Sequence, residues 1–258
     1  MGKRILFITT SFEQKANSAA IRNNALVKGL IEIGHDVTVL TPAWPEHLLS
    51  HYFISSEKCK IIRIEIPRLN KLKVIHSIKI KKGDKLFSKI KKFIRELIFF
   101  PDLCKGWEKS ININDYKDFD LIISSSDLKS SHYVGEKLKY AFPKKTWIQI
   151  WGDPWYFDKG INYISKIRAK KREKELLNKA DKIIYTSEIT RKIISNHNPK
   201  LKNKIYYISR SYYTEVRKNL SFKRDYYRII YTGTLYQERH FEFFLEAIDI
   251  YNLYSNKT

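Results

Sequence analysis

The stretch Ala19–Thr41, AAIRNNALVKGLIEIGHDVTVLT, decides the fold class. Ile21, Ala25, Leu26, Leu30 and Ile33 recur at helical spacing, and Gly34 supplies the residue that ends a helix. Asp36–Leu40 follows as a short apolar strand closed by Thr41-Pro42. Upstream, Arg4–Thr9 is a short apolar run ending in polar residues, the pattern of a strand covered on both faces. Strand, helix and strand in this order make one parallel unit with a right-handed crossover.

The alternation continues down the chain. Lys60–Ile66, Leu121–Ser124, Thr146–Ile150, Lys182–Thr186 and Ile205–Ile208 read as strands; Lys85–Ile98, Ser131–Tyr140, Ser165–Lys179 and Glu188–Asn196 read as helices. The expected fold class is α/β, a Rossmann-like parallel sheet flanked by helices. Near the end, Arg228–Ala247, RIIYTGTLYQERHFEFFLEA, reads as a buried strand, a Gly turn carrying Arg239 and the first helix of a second, truncated α/β unit. Residues 1–222 are expected to form the first domain, and 223–258 the linker and opening of the second.

A chain of 258 residues can bury a core, and 43% hydrophobic residues exclude a disordered one. Cys59 and Cys104 lie far apart with no metal spacing, which fits buried inert thiols in a reducing cytosol. The apolar run after Met1 is too short for a signal peptide, and Leu6 breaks the myristoylation pattern. No stretch approaches the roughly 18 apolar residues of a membrane span. The expectation is a cytoplasmic protein, soluble or peripheral at the inner face of a membrane.

Forty-nine basic against 27 acidic residues leave a net charge of +22. Between Lys71 and Arg95 stand ten Lys/Arg (71, 73, 79, 81, 82, 85, 89, 91, 92, 95) and one acid, Asp84. Leu86, Ile90, Phe93 and Leu97 recur through this segment at helical spacing. Such a helix can lie on an anionic membrane surface, or its apolar stripe can belong to a core while the lysines are solvated.

In parallel sheets, ligands sit outside the carboxyl ends of the strands. Four loops therefore matter: Thr10–Ser18, Ser125–Ser130, Trp151–Asp158 and Thr186–Glu188. The first lacks GxGxxG, which argues against a dinucleotide-dependent dehydrogenase, and the chain has no GxxxxGK[ST], HExxH, GxSxG or metal-spaced His/Cys cluster. No metal site is expected.

Arg4–Thr41, with KGLIEIGHDVTVLT, resembles the opening of retaining, family 4-like glycosyltransferases of the GT-B type. Asp120–Ser126, DLIISSS, resembles their D-x-I-x-x-S strand, and Ile148–Trp155, IQIWGDPW, their loop with Asp and Trp. Glu175–Ser187, ELLNKADKIIYTS, resembles the helix–strand pair before their linker, and Arg228–Ala247 the start of their donor domain. The resemblance covers essentially the whole chain. It implies two Rossmann-like domains facing a cleft, with a saccharide or lipid-linked acceptor on the N-terminal one and a nucleotide-sugar donor on the C-terminal one. It also implies retention of anomeric configuration, no cofactor beyond the nucleotide sugar as substrate, and a role in bacterial polysaccharide or lipid-linked saccharide synthesis. The chain departs from the pattern in several places. SFEQKANSAAIR replaces the Gly-Gly loop, Asp153 is the ionisable group left where a His is common, Thr234 replaces an Arg, and the Glu-x7-Glu region is missing.

These readings name the candidates. Arg239 near a helix start, with Gly233 allowing close backbone approach, would bind the donor diphosphate; both also suit an exposed turn. Asp153 would orient or deprotonate an acceptor hydroxyl, or simply form a turn before Pro154. Asn17, Ser18, Arg22, Ser125, Ser126 and Trp155 are the acceptor-side candidates. Arg22 would grip a phosphate or carboxylate, the serines would bind hydroxyls or cap the next helix, and Trp155 would stack on a sugar or pack in the core. A polyanion- or nucleic-acid-binding protein, or a non-catalytic interaction domain, is the alternative. Nucleic acid is disfavoured because no RRM, KH, zinc-finger or helix-turn-helix signature occurs.

Overall fold

The computed structural model describes residues 2–14, 17–49, 59–67, 69, 93–94, 96–158, 160–210, 229–231 and 241–255. The chain divides into two units, Met1–Thr214 and Glu215–Thr258.

The first unit is built on a seven-stranded sheet in the order β3-β2-β1-β4-β5-β6-β7. The strands are β1 (Arg4–Thr9), β2 (Asp36–Pro42), β3 (Lys60–Ile64), β4 (Leu121–Ser126), β5 (Thr146–Trp151), β6 (Lys182–Tyr185) and β7 (Ile205–Tyr207). Every adjacent pair is parallel. Apolar runs became the central strands because both faces are covered: Ile5, Leu6, Phe7 and Ile8 of β1 are all fully buried.

Helices α1 (Ser18–Glu32), α2 (Ser130–Ala141), α3 (Tyr163–Lys179) and α4 (Glu188–His197) connect these strands. Strand order runs one way from β1 through β2 to β3 and the other way from β4 to β7. Right-handed crossovers therefore put α1 on one face and α2, α3 and α4 on the other. One core, with Ile5, Phe7, Val39 and Val27, lies on the α1 side. The other, with Leu6, Ile122, Trp147, Trp151, Leu138 and Leu176, lies under α2 and α3. The α/β, Rossmann-like expectation is met.

The inward face of α1 differs from the one its apolar residues predict. Ile21 is 40% exposed and Ile33 71%, while Ala19, Ala20, Asn23, Asn24 and Val27 are buried. The cause lies in what the helix packs against. Asn24 Nδ2 donates to the Phe12 carbonyl at 2.6 Å and Asn23 Nδ2 to the Ser11 carbonyl at 2.7 Å, so part of this interface is loop backbone needing donors. Gly34, at φ +90°, takes the left-handed position after the helix.

At the opposite, N-terminal edge of the sheet, carboxylates staple backbone. Asp120 accepts from Arg4 N at 2.7 Å, and Asp181 accepts from Trp147 N at 2.7 Å and from the Lys139 ammonium at 2.7 Å.

In the second unit, helix α5 spans Glu242–Ser255. The residues read as a buried strand are not one: Ile229 and Ile230 are 65% and 70% exposed, and no ladder among the described residues includes them. A strand needs a partner for its N–H and C=O groups, and an apolar sequence alone does not provide one. The basic segment Lys71–Arg95 falls outside the described residues apart from Phe93 and Ile94, which are helical, as are residues 96–98.

Candidate functional site at the carboxyl ends of the strands

Between β1 and β4 the strand order reverses, and the crevice outside their carboxyl ends is where a doubly wound sheet binds ligands. Thr9 sits opposite Ser125 across this gap. Asn17 caps α1 there, its Oδ1 accepting from Ala19 N at 2.9 Å and Ala20 N at 3.3 Å. Its Nδ2 donates to Ser11 Oγ at 3.2 Å, and that hydroxyl donates to Asp127 at 3.0 Å. Ser18, the next residue, is exposed.

One turn into α1, Asn23 ties the two strand ends together. It donates to Thr9 Oγ1 at 2.8 Å and accepts from Ser125 Oγ at 2.7 Å. Arg22 beside it is only 5% exposed, yet its hydrogen bonding is poor. One guanidinium nitrogen lies 3.4 Å from Ser125 Oγ, its Nε has no partner, and among the described residues it forms no salt bridge. Burial lowers its proton affinity; Asp127 raises it, the Arg210 cation lowers it and Asp153 raises it. Arginine nevertheless stays charged. The guanidinium packs against Gly152: a Cβ there would sit 2.9 Å from its Nη1 and 3.6 Å from the Ser126 carbonyl. The glycine of WGDPW is thus what lets the cation reach the backbone of the β5 loop.

On the other face, Ser126, Trp151 and Tyr185 stand side by side at the ends of β4, β5 and β6. Ser126 Oγ and Tyr185 Oη are buried without partners. Lys129 crosses this row, its ammonium 5.2 Å over the Trp151 ring and 3.4 Å from the Asp153 carbonyl. Burial lowers the Lys129 ammonium's proton affinity, while Glu173, Asp127, Asp153 and Asp102 raise it. Glu173 is buried on α3; its Oε2 accepts from Tyr156 N at 2.7 Å, and burial pushes its carboxyl up. Asp102 anchors α2, accepting from Ser130 N at 2.8 Å and Ser130 Oγ at 2.6 Å.

The structure therefore brings Asn17, Arg22, Ser125 and Asp153 to the carboxyl ends of β1, β4 and β5, with the Ser126 side chain on the opposite face of the sheet. Asp153 is exposed on its loop. Trp155 is 4% exposed and stacked on Phe100 at 4.9 Å, so its ring serves the core rather than open space. Gly233 and Arg239 lie outside the described residues. Asn23, Lys129 and Arg210 are neighbours of this cluster that the sequence reading missed, as is the buried Glu173 on α3. For Asn23 a signal existed: polar residues at helical spacing with Ala19, Ala20 and Val27 mark an inward face that meets backbone. Among the described residues, no group of three or more His, Cys, Asp or Glu is placed to hold a metal ion. No described helix is long and apolar enough to cross a membrane.

No family model and no curated protein matches this sequence. Solved structures do. The catalytic domain of Starch Synthase IV from Arabidopsis thaliana, bound to ADP and acarbose, aligns with a TM-score of 0.53 at 11% identity over 82% of this chain and 52% of that one. The fold is shared. A UDP-N-acetylglucosamine 2-epimerase from Listeria monocytogenes aligns at TM-score 0.41 and 12% identity, covering 80% of this chain and 44% of that one. An alpha-glucosyltransferase in complex with UDP and a 13-mer DNA aligns at 0.38 and 11%, covering 80% and 40%. The chain spans about half the length of the structures it matches, and at these identities the likeness is one of fold.

Proposed function

We propose that the first unit is the acceptor-binding half of a GT-B-type glycosyltransferase, and that its crevice receives a saccharide or lipid-linked acceptor. The observation that carries the reading is Arg22, a buried cation at the switch point of the sheet that makes no salt bridge among the described residues, with Asp127 and Asp153 acting on it only at longer range. A charge left uncompensated in the interior costs stability, and it is kept where a ligand completes its hydrogen bonds. A phosphate or carboxylate on the acceptor would do so. The sheet shared with the starch synthase domain supports the same reading.

The chemistry follows from the groups present. An acceptor hydroxyl held near Asp153 passes its proton to that carboxylate as its oxygen attacks the anomeric carbon. The sugar–phosphate bond breaks, and the leaving diphosphate gains charge. Retention of configuration and a place in polysaccharide synthesis belong to the proposal. Gly233 and Arg239 are proposed for the donor phosphates, with no cofactor beyond the nucleotide sugar.

The test is transfer of a labelled sugar, from a panel of nucleotide sugars to anionic and neutral acceptors, by the chain fused to a complete donor domain. Arg22→Ala and Asp153→Asn should each lower transfer at least 100-fold, with Arg22→Ala selectively weakening anionic acceptors. Equal turnover by both variants contradicts the reading.

Contact with an anionic membrane is part of the same proposal. Phe93, Ile94 and Ile98 are 39%, 49% and 53% exposed, and the sequence from Lys71 to Arg95 carries ten cations. Each surface-proximal Lys or Arg adds about 1 kcal/mol of attraction. Flotation with anionic but not neutral liposomes is expected; equal binding to both contradicts it.

A further inference from the structure

A second cavity of about 450 Å³ lies apart from the Arg22 crevice, between α3, α4 and the far end of the loop after β5. Tyr156 and Phe157 line it from that loop, Lys170, Glu173 and Lys174 from α3, and His197 from the end of α4. Its size lies within the range of small-molecule sites, which start near 300 Å³.

Its lining has three complementary parts. The aromatic part is half-open: Phe157 is 43% exposed, its ring 5.6 Å from that of His197, and the Tyr156 ring has the Lys170 ammonium 5.0 Å over it. Such rings offer an apolar body to the carbon face of a sugar. Glu173 supplies the polar part. It is 4% exposed; its Oε2 is held by Tyr156 N, the Trp155 amide also steadies the carboxylate, and Oε1 has no hydrogen-bond partner among the described residues. A buried carboxyl oxygen without a partner calls for a hydroxyl or water. The third part is cationic, since Lys170 and Lys174 are exposed on α3. Rings, a lone buried carboxyl oxygen and a pair of ammonium groups together describe a hydroxylated ring bearing an anionic substituent.

We propose that this cavity is a second saccharide subsite, selective for a sugar unit carrying a carboxylate or a phosphate. Asp153 and Phe157 stand four residues apart on one loop, at most about 14 Å of extended chain. One oligosaccharide can thus occupy the crevice and the cavity together. The subsite's purpose rests on the glycosyl-transfer reading, whereas its existence does not.

The test is ligand-observed NMR and calorimetry on the 258-residue chain with glucuronate, glucose 6-phosphate and glucose. At least one charged sugar should bind ten-fold or more tightly than glucose, and the preferred one shows whether carboxylate or phosphate is read. The double variant Lys170→Glu/Lys174→Glu, at exposed positions, should weaken that binding at least ten-fold, and Phe157→Ala several-fold. Glucose binding as well as both charged sugars would overturn the proposal, as would a charge reversal without effect. So would loss of binding on Arg22→Met, which would put the ligand in the crevice. Charged-sugar binding here without transfer by the fusion protein refutes only the proposed function. Transfer that survives together with an ineffective charge reversal refutes only this subsite.

Discussion

Strand β1 and the segment Ile229–Tyr231 are both short apolar runs, and the molecule treats them oppositely. Ile5 to Ile8 are fully buried, whereas Ile229, Ile230 and Tyr231 are 65%, 70% and 46% exposed. The helices differ in the same way. Leu176 and Leu177 of α3 are buried; Phe243, Leu245, Tyr251 and Leu253 of α5 are 81%, 57%, 67% and 68% exposed. Apolar composition makes a segment eligible for a core, and neighbouring elements decide whether one forms. Burying one such side chain is worth roughly 1.5–3 kcal/mol, so the second unit leaves open a stabilisation that the first has realised.

The largest test of this contrast is to separate the units. Residues 1–214 should fold cooperatively alone, giving one melting transition by circular dichroism. Residues 215–258 should show little helix, since isolated helices below about 12–15 residues are marginal in water. A cooperative transition in the short fragment would break the comparison.

Within the first unit, Gly135→Ala should be clearly damaging. The added Cβ would meet Trp147 Nε1 at 2.5 Å and Cε2 at 2.8 Å, displacing an indole that donates to Ser124 Oγ at 2.8 Å. We expect a loss of about 2–3 kcal/mol by urea titration, overpacking and a broken buried hydrogen bond outweighing the gain in helix propensity. In α5, Phe243→Ser should change the stability of the first unit by less than about 0.5 kcal/mol.

The neighbours Asn23 and Arg22 sharpen the contrast inside the crevice. Asn23→Ala removes bonds to Thr9, Ser11 and Ser125 and should cost about 2 kcal/mol. Arg22→Met exchanges an unpaired buried charge for an apolar chain. It should leave stability within about 1 kcal/mol of the parent, or raise it, while impairing acceptor binding. Large destabilisation by Arg22→Met would make the arginine structural.

A pH dependence comes from His132. Trp147 Nε1 can only donate to Ser124 Oγ, leaving that hydroxyl to donate to His132 Nδ1 at 2.7 Å. Burial, aided by the Lys129 cation, holds His132 neutral, its proton affinity well below the usual value of 6.5. A histidine whose folded-state value is depressed binds its proton first in the unfolded chain. Its contribution is therefore complete above pH 6.5 and falls away as pH drops toward the folded value, by up to about 1.4 kcal/mol per pH unit. Urea midpoints between pH 7.5 and 5.5 should show this slope, and His132→Gln should flatten it; equal slopes contradict the assignment.

Much of the fold was legible because central parallel strands announce themselves as apolar runs. Arg4–Thr9 was read to the residue, and Leu121–Ser126 was read two residues short because its serines look like loop. The crevice was legible in part. Arg22, Ser125, Ser126 and Asp153 follow from knowing which ends of the strands bind ligands. Asn23 escaped because a count of apolar residues cannot recognise a helix face that packs on carbonyl groups. Lys129 and Glu173 escaped because charged residues are common throughout this chain, and only folding shows which ones are buried.

The central proposal is that the first unit binds an acceptor and that this chain by itself does not bind a nucleotide-sugar donor tightly. Calorimetric titration of the 258-residue chain with UDP-glucose and GDP-mannose tests it most directly. The account predicts weak binding, near millimolar, because each missing charge-assisted hydrogen bond forfeits about 1.5–3 kcal/mol. Saturable binding below about 10 μM, roughly 7 kcal/mol of affinity, would contradict it by showing a complete donor site in this chain.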